Sequence, residues 1–106
     1  MSAVYIYPQQ TLPAPELITA MTGSSVLIGT LLHFPVKLIL DNQSTAPVVL
    51  STSQDGGESL TQWKTFAGGE ALVLDGDIYL FPKGTSFYGN GAASGSFSIA
   101  YTYINL

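Results

Sequence analysis

A chain of 106 residues is the size of one domain, able to bury about two-thirds of the surface that its unfolded form exposes. Only 9% of its residues are charged, against roughly 25% in an ordinary soluble domain, while 46% are hydrophobic. The net charge is −4, with no arginine and only Lys37, Lys64 and Lys83 as lysines, the wrong sign for neutralising phosphates, so nucleic acid is not an expected partner. The absence of cysteine removes disulfides, thiolate catalysis and Cys-based zinc sites together. Mean hydropathy is +0.32, yet no apolar run approaches the ~20 residues of a membrane helix. The longest candidate, residues 25–40, is interrupted by Gly29, His33, Pro35 and Lys37, so a membrane is not expected as a partner either. The first residues lack a basic stretch followed by an apolar core, which predicts assembly in a cytoplasm. So little charge implies that other subunits cover part of the surface.

Residues 3–7 alternate as a short strand, with Tyr5 and Tyr7 on one face and Val4 and Ile6 on the other. Pro8, Pro13 and Pro15 follow, each removing a backbone donor and fixing φ, which keeps this stretch out of a central strand. Residues 1–15 are expected to form an extended arm, edge-lying or free, ahead of a β-sandwich domain over residues 16–106. Two readings of the arm stand side by side: a loose terminus, or a contact to a neighbouring subunit anchored by Tyr5 and Tyr7. Residues 16–21 form a helical turn or a strand, too few to reveal a period. After a turn at residues 22–25, residues 26–34 alternate with apolar side chains on both faces, predicting a strand covered on both sides. His33, the one histidine, has no Ser or carboxylate at a recognisable spacing and is assigned a structural role.

Residues 36–75 read as a β-meander. Val36, Leu38 and Leu40 share one face, with Lys37, Ile39 and Asp41 on the other. Residues 42–47 supply turn chemistry, residues 48–53 return as a strand, and Asp55-Gly56-Gly57 marks the next break. Extended structure resumes at residues 63–66 and 71–75 across Gly68-Gly69. Strict alternation pairs Trp63 in phase with Thr65, and Lys64 with Phe66. Trp63 is assigned to the core or to an interface, where burying an indole yields the most contact. Asp55 with Glu58, and Asp75 with Asp77, are two acidic clusters that fit Asp-Gly turns better than a calcium loop, so no metal and no cofactor are expected.

Residues 78–81 form a short strand closed by Pro82-Lys83-Gly84, and Phe87-Tyr88 leads into residues 89–95, a loop with almost no side-chain bulk. That loop is read as a hairpin tip; without a following helix and lysine it does not cradle phosphate. Residues 96–104 alternate cleanly, Phe97, Ile99, Tyr101 and Tyr103 against Ser96, Ser98, Ala100, Thr102 and Ile104. The runs amount to about seven or eight short strands: an all-β, single-domain antiparallel β-sandwich, jelly-roll-like. Its expected core is Val26, Ile28, Leu38, Leu40, Val49, Leu72, Leu74, Phe97 and Ile99.

The order L-I-L-D-N-Q-S-T-A-P-V-V-L-S-T-S-Q-D-G-G, then W-K-T-F-A-G-G-E-A-L-V-L-D, then L-F-P-K-G-T-S-F-Y-G-N-G-A-A-S-G-S-F-S-I-A-Y-T-Y resembles small virion proteins of tailed bacteriophages. The likeness covers residues 36–106 and consists of strand and turn patterns, with no catalytic signature. It implies a β-sandwich structural protein of the virion, a head decoration (cement) protein that stabilises a phage head by subunit contacts. Its implied partners are further copies of itself, as a trimer by analogy with local threefold positions on capsids, and the major capsid protein or another virion protein. Tyr5, Tyr7, Trp63 and Tyr88 are the candidate interface residues. The alternative is a carbohydrate- or receptor-binding module of a phage tail or head fibre, using Trp63, Tyr88 and Asn90. An enzyme fits worst, with no nucleophile, base and metal spacing to assemble.

Overall fold

The computed structural model describes residues 11–75 and 81–104, among which there are nine strands and no helix. They are β1 (Thr11–Pro13), β2 (Leu17–Ala20), β3 (Ser25–Thr30), β4 (Pro35–Asn42), β5 (Val48–Ser53), β6 (Thr61–Phe66), β7 (Ala71–Asp75), β8 (Ser86–Gly91) and β9 (Ser96–Ile104). All pairings are antiparallel. One sheet runs β2-β9-β4-β7, with β1 continuing along the same edge of β9, and the other runs β3-β8-β5-β6. Every connection from β2 onward crosses between the sheets except the β5–β6 hairpin. That order is an eight-stranded jelly roll with β1 as an addition. Within the arm expected at residues 1–15, Thr11–Pro13 therefore pairs with the chain's own β9, while residues 1–10, Tyr5 and Tyr7 included, lie outside the described residues. Most of the strand expected at residues 78–81 lies outside them as well.

The core follows the period-2 pattern of the strands that have one. Leu38 and Leu40 of β4, and Phe97 and Ile99 of β9, are fully buried, facing Val48, Leu50, Phe66 and Phe87 from the other sheet. Phe66 meets Phe97 edge-on at 5.1 Å across the sandwich, and Phe81 sits 5.2 Å from Phe87. Val26, Leu72 and Leu74 pack against this core but stay partly exposed.

Several expectations are corrected. In the doublet Val48-Val49 it is Val48, with Leu50, that faces inward; Val49 points outward. β3 ends at Thr30, where regular pairing gives way: buried Leu31 donates its N–H to Thr85 O and accepts at its carbonyl from Gly84 N, both at 2.8 Å. Nor is β3 covered on both sides, since Leu27 is 46% exposed and Leu32 and Phe34 in the following loop are 65% and 59% exposed. Residues 89–91, expected to open a loop, belong to β8, and residues 92–95, expected as a hairpin tip, instead cross from β8 in one sheet to β9 in the other. Strict alternation also fails in β6. Leu50 pairs with Lys64 and Ser51 with Gln62, so Trp63 is the extra residue of a β-bulge. The bulge turns Trp63 toward the same interior as Phe66, 6.5 Å away, and Phe81, which it meets edge-on at 5.1 Å.

One end of the sandwich is tied shut. Fully buried Asn42 at the end of β4 donates from Nδ2 to the carbonyls of Ala46 (3.0 Å) and Ala67 (2.9 Å), while its Oδ1 accepts from Ser44 N and Oγ. Met21 N reaches Gly95 O, and Gln43 N reaches Ser96 O. The opposite end carries the loops after β3 and β5. There His33 stacks flat on Tyr103, ring centroids 3.7 Å apart, a packing role.

Candidate functional site

With the interior filled by aromatic and aliphatic side chains, the surfaces open to function are the two outer sheet faces, the loops and the edge strands. Trp63 and Tyr88 do not come together. Trp63 is half-buried against Phe66 and Phe81 and acts as core, whereas Tyr88 stands on the outer face of β8 between Leu27 of β3 and Ser51 of β5.

The outer face around Tyr88 is uncharged and mostly polar, with Leu27 and Val49 as its apolar members. Its rows are Ser25, Asn90, Val49 and Thr65; Leu27, Tyr88, Ser51 and Gln62; and Thr30, Ser86 and Ser53. Thr30 and Ser86 share a hydroxyl hydrogen bond of 2.8 Å. The β5–β6 loop leans onto this face, for a side chain at Gly57 would run into the Tyr88 hydroxyl. Beside it lies a depression of about 430 Å³ lined by Thr52, Ser53, Gln54, Asp55, Ser59 and Thr61. Asp55 Oδ1 accepts from Ser53 Oγ at 2.7 Å and Ser59 N at 2.9 Å. The Ser59 amide foremost, then the Ser53 hydroxyl, hold its carboxyl below the usual carboxylate range. Asp55 thus braces its own loop. Among the described residues no three His, Cys, Asp or Glu side chains gather in a way that could hold a metal ion.

The outer face of the β2-β9-β4-β7 sheet is different. Ala100, Ile39 and Val73 form an apolar row across β9, β4 and β7, and Val73 is 53% exposed. Exposed Ile18 lies one row away, paired with Ser98, and Lys37 and Asp75 face each other across β4 and β7 at the row's other side. A shallow hollow of about 160 Å³ opens where β1 gives way to β2, lined by Pro13, Ala14, Lys37, Ile39, Ala100, Tyr101 and Thr102. None of these residues was singled out from the sequence as a contact residue. The available signal was Ile39, an apolar side chain in the outward phase of β4, in register with apolar Val73.

The edges differ too. β1 and β2 are short and separated by Pro15, with Pro13 inside β1. β3 carries a bulge between Leu27 and Gly29, and β6 carries the Trp63 bulge and Lys64. β7 keeps unbroken register with β4 over Ala71–Asp75 and contains no proline, bulge or lysine. Comparison of the chain with protein-family models, with curated proteins and with solved structures finds no match.

Proposed function

We propose that the chain is a capsid decoration (cement) protein of a tailed-bacteriophage virion, working as a homo-oligomer, a trimer, seated on the major capsid protein. The observation that carries this reading is the filled jelly roll with an apolar row across the outer face of one sheet, flanked by Lys37, Asp75 and Asp41. A solid sandwich leaves contact between surfaces as its work, and the row Ala100, Ile39 and Val73 beside Ile18 suits a protein partner. Jelly rolls recur in viral capsid proteins, and also in lectin domains and cupins, so the fold is compatible with the reading without carrying it alone. The resemblance of residues 36–106 to phage virion proteins adds the particle. The reading assigns no catalytic residue and no cofactor.

A mass-spectrometric inventory of purified particles, with immunogold labelling, tests it. The chain is expected on the head in numbers matching capsid positions; a tail location, or absence from particles, overturns it. Deleting residues 1–10, which leaves β1 in place, is expected to weaken attachment to particles while the sandwich stays folded.

A glycan-binding reading is favoured by a separate observation, the uncharged face of Tyr88, Asn90, Ser51 and Gln62 beside the hydroxyl-lined hollow at Asp55. An aromatic ring flanked by amides and hydroxyls can stack on and hydrogen-bond a sugar. It requires that Tyr88→Ala abolish binding on a glycan array with the circular dichroism spectrum unchanged; absence of any bound glycan removes it.

A further inference from the structure

We propose that the outer edge of β7 receives residues 3–7 of a second copy of this chain as an added antiparallel strand, closing copies head-to-tail into a ring. This rests on the homo-oligomer part of the reading above and names the contact that makes it. An edge strand presents unpaired N–H and C=O groups, and proteins blunt such edges with prolines, bulges, lysines or short strands. Here β1 and β2, β3 and β6 each carry such a device, whereas β7 has no proline, bulge or lysine and its one charge, Asp75, stands at its last residue. Among the described residues no strand pairs with its outer side.

The occupant follows from pattern and reach. Residues 3–7 read A-V-Y-I-Y and β7 reads A-L-V-L-D, five against five. Centred on Tyr5 opposite Val73, antiparallel pairing sets Val4 against Leu74 and Ile6 against Leu72, toward the interior. Leu72 and Leu74 already pack on the core there but remain partly exposed. On the outer face the pairing lays Tyr5 beside exposed Val73, an aromatic–β-branched cross-strand pair, and leaves Asp75 opposite Ala3 with no like charge facing it. A slip by one residue turns both tyrosines inward and both aliphatic residues out, so the register is strongly specified.

The chain's own β7 is out of reach. A strand added outside β7 lies four strand spacings from β1, about 19 Å. The four Cα steps from Tyr7 to Thr11 span at most about 14 Å. The arm leaves from one edge of the sheet and the receptive strand is the other edge, a heterologous contact that builds a closed ring when the rotation allows.

Because the chain has no cysteine, introduced thiols report alone. Tyr5→Cys and Val73→Cys are placed in separate chains, co-expressed and oxidised. Facing residues of an antiparallel pair lie roughly 4.5–5.5 Å apart at Cα, within disulfide range. A disulfide joining position 5 of one copy to position 73 of another is expected as the main product. Val73→Lys, and separately deletion of residues 1–7, are each expected to shift the mass measured by light scattering down to that of a single chain, 11.2 kDa for the full-length sequence and correspondingly less for the truncation, with circular dichroism unchanged. A dominant 73–73 disulfide means that β7 edges pair with each other and overturns the proposal. So does an oligomer that survives either variant. A full-length chain monomeric in solution and on particles overturns this proposal and the homo-oligomer reading together. Cross-linking as expected in a protein absent from virions leaves this contact standing and removes the virion role.

Discussion

Asn42 Nδ2 donates to Ala67 O at 2.9 Å from a position with no solvent exposure, stitching the end of β4 to the turn between β6 and β7. The same side chain holds the β4–β5 turn through Ala46 O and Ser44, so one amide satisfies groups in two connections. Replacing it strips the buried Ser44 N–H of its acceptor, at roughly 1–3 kcal/mol, and takes one of two donors from Ala46 O and from Ala67 O, where Ser44 Oγ and Glu70 N still donate. Asn42→Ala is expected to lower stability by on the order of 3 kcal/mol, read as a drop in the urea midpoint with an unchanged m-value.

Trp63 offers a second check, since a contact residue and a core residue respond differently to truncation. Its indole meets Phe81 edge-on at 5.1 Å. Trp63→Ala is expected to cost about 3 kcal/mol and to lower the thermal midpoint. Loss of partner binding without loss of stability would place the indole at an interface instead.

Gly95 and Gly23 both sit at positive φ, +73° and +85°, where an L side chain is strained. They differ in their surroundings. A Cβ at Gly23 meets nothing within 4 Å, whereas one at Gly95 lands 2.7 Å from Ser44 Cα and Cβ. Gly23→Ala is expected to cost about 1–2 kcal/mol from the backbone alone. Gly95→Ala should cost clearly more, as Ser44 and its bonds to Asn42 must shift; thermal unfolding of the pair decides.

Acid should loosen the β5–β6 loop. The folded-state carboxyl of Asp55 titrates below its ordinary value because the Ser59 amide and the Ser53 hydroxyl bind the ionised form. Such a group contributes stability above its unfolded-state pKa of about 4 and loses it as pH falls through the lower folded value. Glu70, held low by the Ala67 amide and then by Lys64 at 3.0 Å, acts in the same direction. Stability is therefore expected to fall below about pH 4, with Asp55→Asn less sensitive across that window in pH-dependent melting.

Chelation is the last test. Asp55 Oδ1 already accepts from Ser53 and Ser59, and among the described residues no three acidic or imidazole side chains gather, so EDTA is expected to leave the melting temperature unchanged. A fall of several degrees, restored by calcium, would require rereading the acidic loops as a site.

The sandwich was legible where alternation is strict. Leu38 and Leu40 in β4, and Phe97 and Ile99 in β9, stand between outward partners, and period 2 places them inside. Val49 was misplaced because consecutive apolar residues leave the phase undefined, and the missing constraint is register with β6 and β8. Trp63 escaped for a related reason: a bulge shifts phase by one residue and has no signature in the local string. β1 was hidden by its proline, tolerable only because the strand lies at an edge. That β7 stands at the edge of its sheet among the described residues was not readable at all, since it depends on strand order, a property of pairings far apart in the chain.

That strand order also has a consequence for how the protein is made. β9 is ninth in chain order, yet it holds β1 and β2 on one side and β4 on the other. During vectorial synthesis at about 5–20 residues per second, the first strands emerge seconds before the strand they flank. Among the described strands, only the β5–β6 hairpin can close early, from contacts local in sequence. Closure of the sandwich must then bring distant segments together at once, which predicts slow folding for a domain of this size. A ribosome stalled before Ser96 would display β1, β2 and β4 as bare, apolar edges, the form of this chain most in need of a chaperone.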